Sequence, residues 1–350
     1  MQYIQKIFWG GIELSKKYAG LMAVFGFATG MVSLWLVEKR EHFAQFFAVL
    51  MLAGWVWLMI EHWLRTGLLS RFGVTVSEDL TRFVTQLLHQ ESLFFALPFF
   101  LAATHWDQPQ ALFTLLLLGC AVVAVFDPVY QRVLATRRSL FLAFHSFALF
   151  AVLMVVLPLL FFLSTSQSLI GSLAIAVVLS IPSLRPLLSH AGLWRLPLLL
   201  LLLTLLAGGV WWARALVPAP VLRLTEIHLS QQVDYTQRTP GDSITEIDVD
   251  ALQQWGLFAF TSVQAPRGLK EQIYHQWIHH NGEAEQIPLD IQGGRKEGYR
   301  AWTRKQNFPA DPLGHWEIRV VTDSGQLIGN RKFKVVPKVN KSTVPLRSKL

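Results

Sequence analysis

From Leu196 to Ala213 the chain reads LPLLLLLLTLLAGGVWWA, eighteen residues without a charge. A run of that length is stable only where its side chains leave water, inside protein or in the hydrocarbon of a bilayer. Six more apolar runs precede it, at about 18–37, 43–60, 91–106, 109–127, 139–163 and 168–184, with Pro98 interrupting the third and Pro182 shortening the sixth. Taken as crossings of about 20 residues each, they predict an α-helical membrane bundle of about seven transmembrane helices over residues 1–213.

The charges divide the chain in the same way. Residues 1–220 hold fourteen Lys/Arg and nine Asp/Glu, against seventeen and fourteen in residues 221–350, so a membrane part is expected ahead of a soluble one. The formal +8 is spread along the chain with no basic stripe, which excludes nucleic acid as a partner. With the N-terminus inside, the inner connections carry eleven Lys/Arg (Lys6, Lys16 and Lys17 among them) and the outer ones two, Lys39 and Arg40. The expected placement is therefore multi-pass in a bacterial inner membrane, with a cytoplasmic N-terminus and an extracytoplasmic C-terminal domain. The N-terminus shows no cleavable signal, and the first span reads as uncleaved. Between the second and third runs, SEDLTRFVTQLLHQE spaces Leu80, Phe83, Val84, Leu87 and Leu88 as an amphipathic helix, which lies in the interface or runs on into the third span.

A Pro-containing linker, 214–221, follows, and the apolar period changes from helical to two. Alternation predicts strands at 222–229, 256–263, 272–280, 283–289, 298–305, 315–322 and 326–335, with Asn281-Gly282 suited to a two-residue type I′ hairpin and Asp323-Ser324-Gly325 to a longer one. Seven short strands in residues 222–337 fit an all-β, immunoglobulin-like sandwich, and residues 338–350 form a basic tail.

The stretches FAFTSV (258–263), YHQWIHHNGE (274–283), GYRAWTRK (298–305), GHWEIRVVTDSGQLIG (314–329) and FKV (333–335) resemble, in that order, a bacterial domain family of unknown function. The resemblance implies an extracytoplasmic β-rich module. The preceding region resembles a companion uncharacterised multi-span membrane family found fused to it. Neither resemblance implies a reaction.

Candidate site residues fall into two groups. Alternation puts Arg300, Trp302 and Arg304 on one strand face, and His275, Trp277 and His279 on one face of another. An aromatic flanked by cations can stack a guanidinium, or offer a flat platform to a saccharide or anionic headgroup; it can equally be a half-buried ring covered by Arg stems. Trp316, which shares its face with Ile318 and Val320, reads as core. In the membrane part the polar candidates are Glu61, His62, Asp127 and His145, with His105 and Asp107 beside a span end, each a helix-end or inter-helix partner or part of a proton path. No HxxxH or HExxH spacing falls on any one membrane helix, a phosphate-binding loop, a nucleophile elbow and a dinucleotide fingerprint are missing from the chain, and Cys120 stands alone, so no metal, cofactor or reaction is expected. The expected function is an envelope receptor or assembly component. Its membrane part sits in the lipid bilayer and its sandwich binds an envelope protein, glycan or anionic ligand. The alternative is a transporter or membrane-embedded enzyme with an accessory sandwich.

Overall fold

The computed structural model describes residues 24–25, 27–32, 35, 45–56, 78–184, 195–282, 284–293 and 297–337. The chain divides into two units, residues 1–221 with 266–269, and 222–265 with 270–350.

In the first unit, helix α1 is Gln45–Val56 and α2 is Glu78–Ala103. α2 carries the amphipathic stretch and the third apolar run in one 26-residue helix with Pro98 inside it. Helix α3, Ala111–Val125, stops where Phe126-Asp127-Pro128 turns the backbone. A three-residue helical turn, Asp127–Val129, then leads into a π-helical turn, Tyr130–Leu134. Helix α4, Arg138–Phe161, is buried on every side from Ala148 to Leu159, as expected of a central helix apolar all round. Helices α5, Thr165–Leu184, and α6, Arg195–Trp212, follow, with α5 packed on α4 and α2 packed on both α3 and α4.

This architecture overturns the expectation of about seven transmembrane helices. Among the described residues one helix, α4, is long and apolar enough to cross a membrane, or two if α3 and residues 127–134, bent by 91°, form one broken span. The apolar runs read from sequence are cut by backbone and polarity. α3 has 15 residues, which rise only about 22 Å at ~1.5 Å each. α2 buries His89, Gln90 and Ser92 at its middle. The runs at 18–37 and 43–60 lie partly outside the described residues, as do Ser77 and the tail from 338.

The second unit is β-rich. Its strands are β1 Arg223–Ser230, β2 Val233–Asp234, β3 Thr239–Pro240, β4 Glu246–Asp248, β5 Leu257–Gln264, β6 Lys270–His279, β7 Ala284–Gln292, β8 Tyr299–Lys305, β9 Gly314–Thr322 and β10 Leu327–Val336, with one helix, α7 Val249–Trp255, before β5. They form a sheet ordered β1-β5-β8, a sheet ordered β4-β10-β9-β6-β7 and a small β2-β3 ribbon. All long neighbours are antiparallel, and β4 runs parallel to β10. Leu229, Leu257 and Ala259 from the first sheet meet Trp277, Trp316, Ile318, Phe333 and Val335 from the second, so the two sheets face one another across a shared core closed at one end by Leu252 of α7.

The seven strands read from alternation are β1 and β5 to β10. The Asn281-Gly282 turn, however, is not type I′. Gly282 has positive φ (93°) while Asn281 does not, and Gly282 N–H donates to the His279 carbonyl (3.0 Å), which makes a turn closed by one left-handed glycine. Gly325 (φ 82°) closes the β9–β10 turn in the same way, donating to the Thr322 carbonyl at 2.9 Å.

Candidate functional site

Strand β8 sends Ala301, Thr303 and Lys305 inward and Arg300, Trp302 and Arg304 outward. Its register on β5 pairs Arg304 with Phe258, Trp302 with Phe260 and Arg300 with Ser262. The register of β5 on β1 adds Ser230, His228 and Glu226 to the same three tiers. On this face Phe258, Phe260, Ser262 and Ser230 are buried, and the groups that reach solvent are Glu226, His228, Arg300, Trp302 and Arg304.

Each tier has a defined geometry. Trp302 stacks on Phe260, with centroids 6.4 Å apart and planes 8° from parallel, and meets Tyr235 edge-on at 5.8 Å. The Arg304 guanidinium lies 5.1 Å from the Phe258 ring centre and donates to the Trp255 carbonyl at 3.0 Å. Arg300 donates to Glu297 at 3.3 Å, and His228 pairs with Glu226 at 3.1 Å. Both arginines are therefore fixed by the protein: one covers a ring, as a cation over a π face does, and the other is tied to an exposed carboxylate. Two rings stand free of such cover. Tyr235 is 64% exposed and lies beside Trp302, and Trp255, whose main-chain carbonyl accepts from Arg304, is 56% exposed.

His275 and Trp277 do not join this face. The strand-β6 face they share with His279 points into the core, and all three are buried. His275 spans the gap between the sheets, its ring nitrogens 3.0 Å from Thr261 Oγ1 on β5 and 2.9 Å from Thr303 Oγ1 on β8. Burial pushes its pKa down to about 3, so the imidazole is neutral and serves as a polar bridge. Trp277 packs edge-on against Phe308 and Phe333.

In the helical unit, Asp127 is exposed at the turn after α3 and accepts from Gln86 Nε2 (2.6 Å). The same amide nitrogen also donates to the Ala124 carbonyl, and Gln131 Nε2 donates to Gln86 Oε1 (2.6 Å). His145 on α4 lies 2.8 Å from His89 on α2, whose other ring nitrogen lies 2.8 Å from the Tyr130 hydroxyl. Glu61 and His62 lie outside the described residues. Sequence reasoning named His145 and Asp127 but missed His89, Tyr130 and Gln86. The sequence signal for His89 was the polar cluster HQES at 89–92, and Tyr130 and Gln86 lie outside it. Among the described residues no cluster of three or more His, Cys, Asp or Glu could hold a metal ion.

Residues 270–335 match the model of a protein family of unknown function (DUF2914), and residues 1–259 match that of a second family of unknown function (DUF5924). No curated protein and no solved structure matches the chain. The matches meet inside the β-rich unit: β1 to β4 and α7 lie in the first, β6 to β10 begin with the second, and β5 straddles the gap. With a match over more than half its length, this two-part chain belongs to the family of unknown function DUF5924, and its β-rich unit is completed by a DUF2914 segment.

Proposed function

We propose that the chain is a membrane-associated binding protein of the bacterial envelope, held at the bilayer by its helical unit and presenting the outer face of β1-β5-β8 to a saccharide carrying an acidic group. The observation that carries the recognition role is the exposed Tyr235 ring beside a β8 face whose Trp302 is held flat and whose arginines are held in place, one of them on the carbonyl of the exposed Trp255. Large aromatics left in water cost free energy, and pre-set rings beside guanidinium groups suit the flat face of a sugar ring next to a carboxylate or phosphate.

Association with lipid is supported by α3, which exposes Leu112, Leu115, Leu116 and Val122 and carries no charged residue. An uncharged face of that width fits hydrocarbon as its surroundings. The test pairs two measurements on the full chain. Tyr235→Ala and Trp255→Ala should keep the wild-type urea midpoint and lose sedimentation with insoluble anionic cell-wall glycan. Folded double variants that still sediment would refute the face, and failure of the protein to float with vesicles would refute the anchoring.

A further inference from the structure

Four elements converge on His89. It is fully buried on α2, with Trp55 of α1 at a ring distance of 5.7 Å, Phe144 of α4 at 5.3 Å, and Tyr130 and His145 at its two nitrogens. Tyr130 is itself buried, and it is the first residue of the π-helical turn Tyr130–Leu134. Extra-residue turns of this kind recur at functional sites, because they aim a side chain where a regular helix would not. His145 is half-buried and stacks on Phe141.

Two polar chains run side by side here, and their chemistry differs. Asp127, Gln86 and Gln131 are joined through amide donors, each with a fixed direction, so that chain can hold α2 to the turn but cannot pass a proton. Trp55 Nε1, donating to Ser92 Oγ at 2.8 Å, is likewise one-way. In Tyr130–His89–His145 every member both donates and accepts, and His89 uses both ring nitrogens. Such a chain has two hydrogen-bonding orientations of equal bond count, related by moving protons one place along it.

We propose that Tyr130, His89 and His145 form a proton-transfer site inside the helical unit, connecting a proton donor at the Tyr130 oxygen to an acceptor at His145 Nε2. The transfer balances as follows. The Tyr130 hydroxyl proton moves to His89 Nδ1 while the His89 Nε2 proton moves to His145 Nδ1. The His145 Nε2 proton leaves to water as the base, and the Tyr130 oxygen regains a proton from hydronium as the donor. No charge remains on the chain after this transfer, which leaves it in the second hydrogen-bonding orientation, and transfer in the opposite sense restores the first. The aromatic wall of Trp55, Phe141 and Phe144 keeps the path through the imidazoles rather than through water. The cargo is a proton, and the site is independent of the glycan-binding face.

The experiment is nitrogen NMR at neutral pH on the full chain in detergent micelles, with the histidine rings labelled and assigned by single substitutions. Both nitrogens of His89 should give shifts between those of a protonated and a bare ring nitrogen, because two tautomers exchange. Tyr130→Phe should remove the averaging and leave His89 protonated only on the nitrogen facing His145. His89→Gln retains a donor and an acceptor for its two partners but cannot relay, so the averaging at His145 should be lost while the thermal midpoint stays within a few degrees. One fixed tautomer of His89 in the unsubstituted protein would overturn the proposal. So would averaging at His145 that persists in folded His89→Gln.

Discussion

His275 is the residue whose environment most directly predicts a measurable behaviour. Its pKa is about 3 in the fold against an ordinary 6.5, so between those values the unfolded chain binds a proton that the folded chain does not. Its contribution to stability is therefore complete above about pH 6.5 and declines as pH falls toward 3, at up to about 1.4 kcal/mol per pH unit. His275→Gln keeps a donor and an acceptor for Thr261 and Thr303 but does not titrate. Urea midpoints compared between about pH 7 and pH 4.5 should fall more steeply for the unsubstituted chain than for this variant. The tryptophans separate on the same scale. Trp277 and Trp316 sit in the shared core, Trp316 with its Nε1 donating to the Pro312 carbonyl at 2.8 Å, whereas Trp302 lies on the outer face. Replacing either core ring by alanine should cost about 3–5 kcal/mol and Trp302→Ala distinctly less, as read from chemical melts. Sequence alternation made each strand face legible but not its direction. Arg300-Trp302-Arg304 and His275-Trp277-His279 look alike as patterns, and only the packing of the second sheet's face onto the first turns the histidine face inward. The His89–Tyr130–His145 contact was illegible for a different reason: it joins positions 41 and 56 residues apart through a π turn that leaves no periodic trace.

At the scale of elements, β7 and β8 are the exposed edges of their sheets on the same side of the core. Lys305 points inward from β8, only 7% exposed, and pairs with Glu285 of β7 while its ammonium sits over Phe308. A charge aimed inward from an edge strand discourages another strand from docking there. Lys305→Met with Glu285→Leu should leave the thermal midpoint nearly unchanged and increase self-association, detected by light scattering over a concentration series; a strictly monomeric double variant would contradict this role. The long strands were readable because period-two alternation survives in each. β2 to β4 were not, since two or three residues carry no period. α7 did leave a signal, Asp248, whose Oδ1 accepts from the Ala251 amide at 2.9 Å as an N-cap should. The span count failed for a related reason. Hydropathy adds up residues along the chain, but the break at Phe126-Asp127-Pro128 and the buried polar middle of α2 end a crossing without interrupting the apolar average.

At the scale of the whole molecule, the folding unit and the family boundaries disagree. The segment 270–335 lacks β1, β4 and β5, which supply Leu229, Ile247, Leu257 and Ala259 to the core and the threonine partner of His275 on β5. Residues 222–337 should therefore unfold in one cooperative transition when expressed alone, whereas 270–335 should show no sigmoidal urea transition by circular dichroism. A cooperative melt of the shorter segment would show that the second sheet is self-sufficient.

Strand β10 is the last to leave the ribosome, yet it lies between β9 and β4, pairing Val335 with both Gly314 and Ile247. The seat of β4, and through it the support of α7, is thus built from the final residues of the unit. During synthesis some ninety residues from Glu246 onward must wait with their apolar faces uncovered until residue 336 has emerged. A stop codon that removes β10 would strand β4 as well, so early termination at or before Leu327 should be read by the cell's quality control as loss of the whole domain.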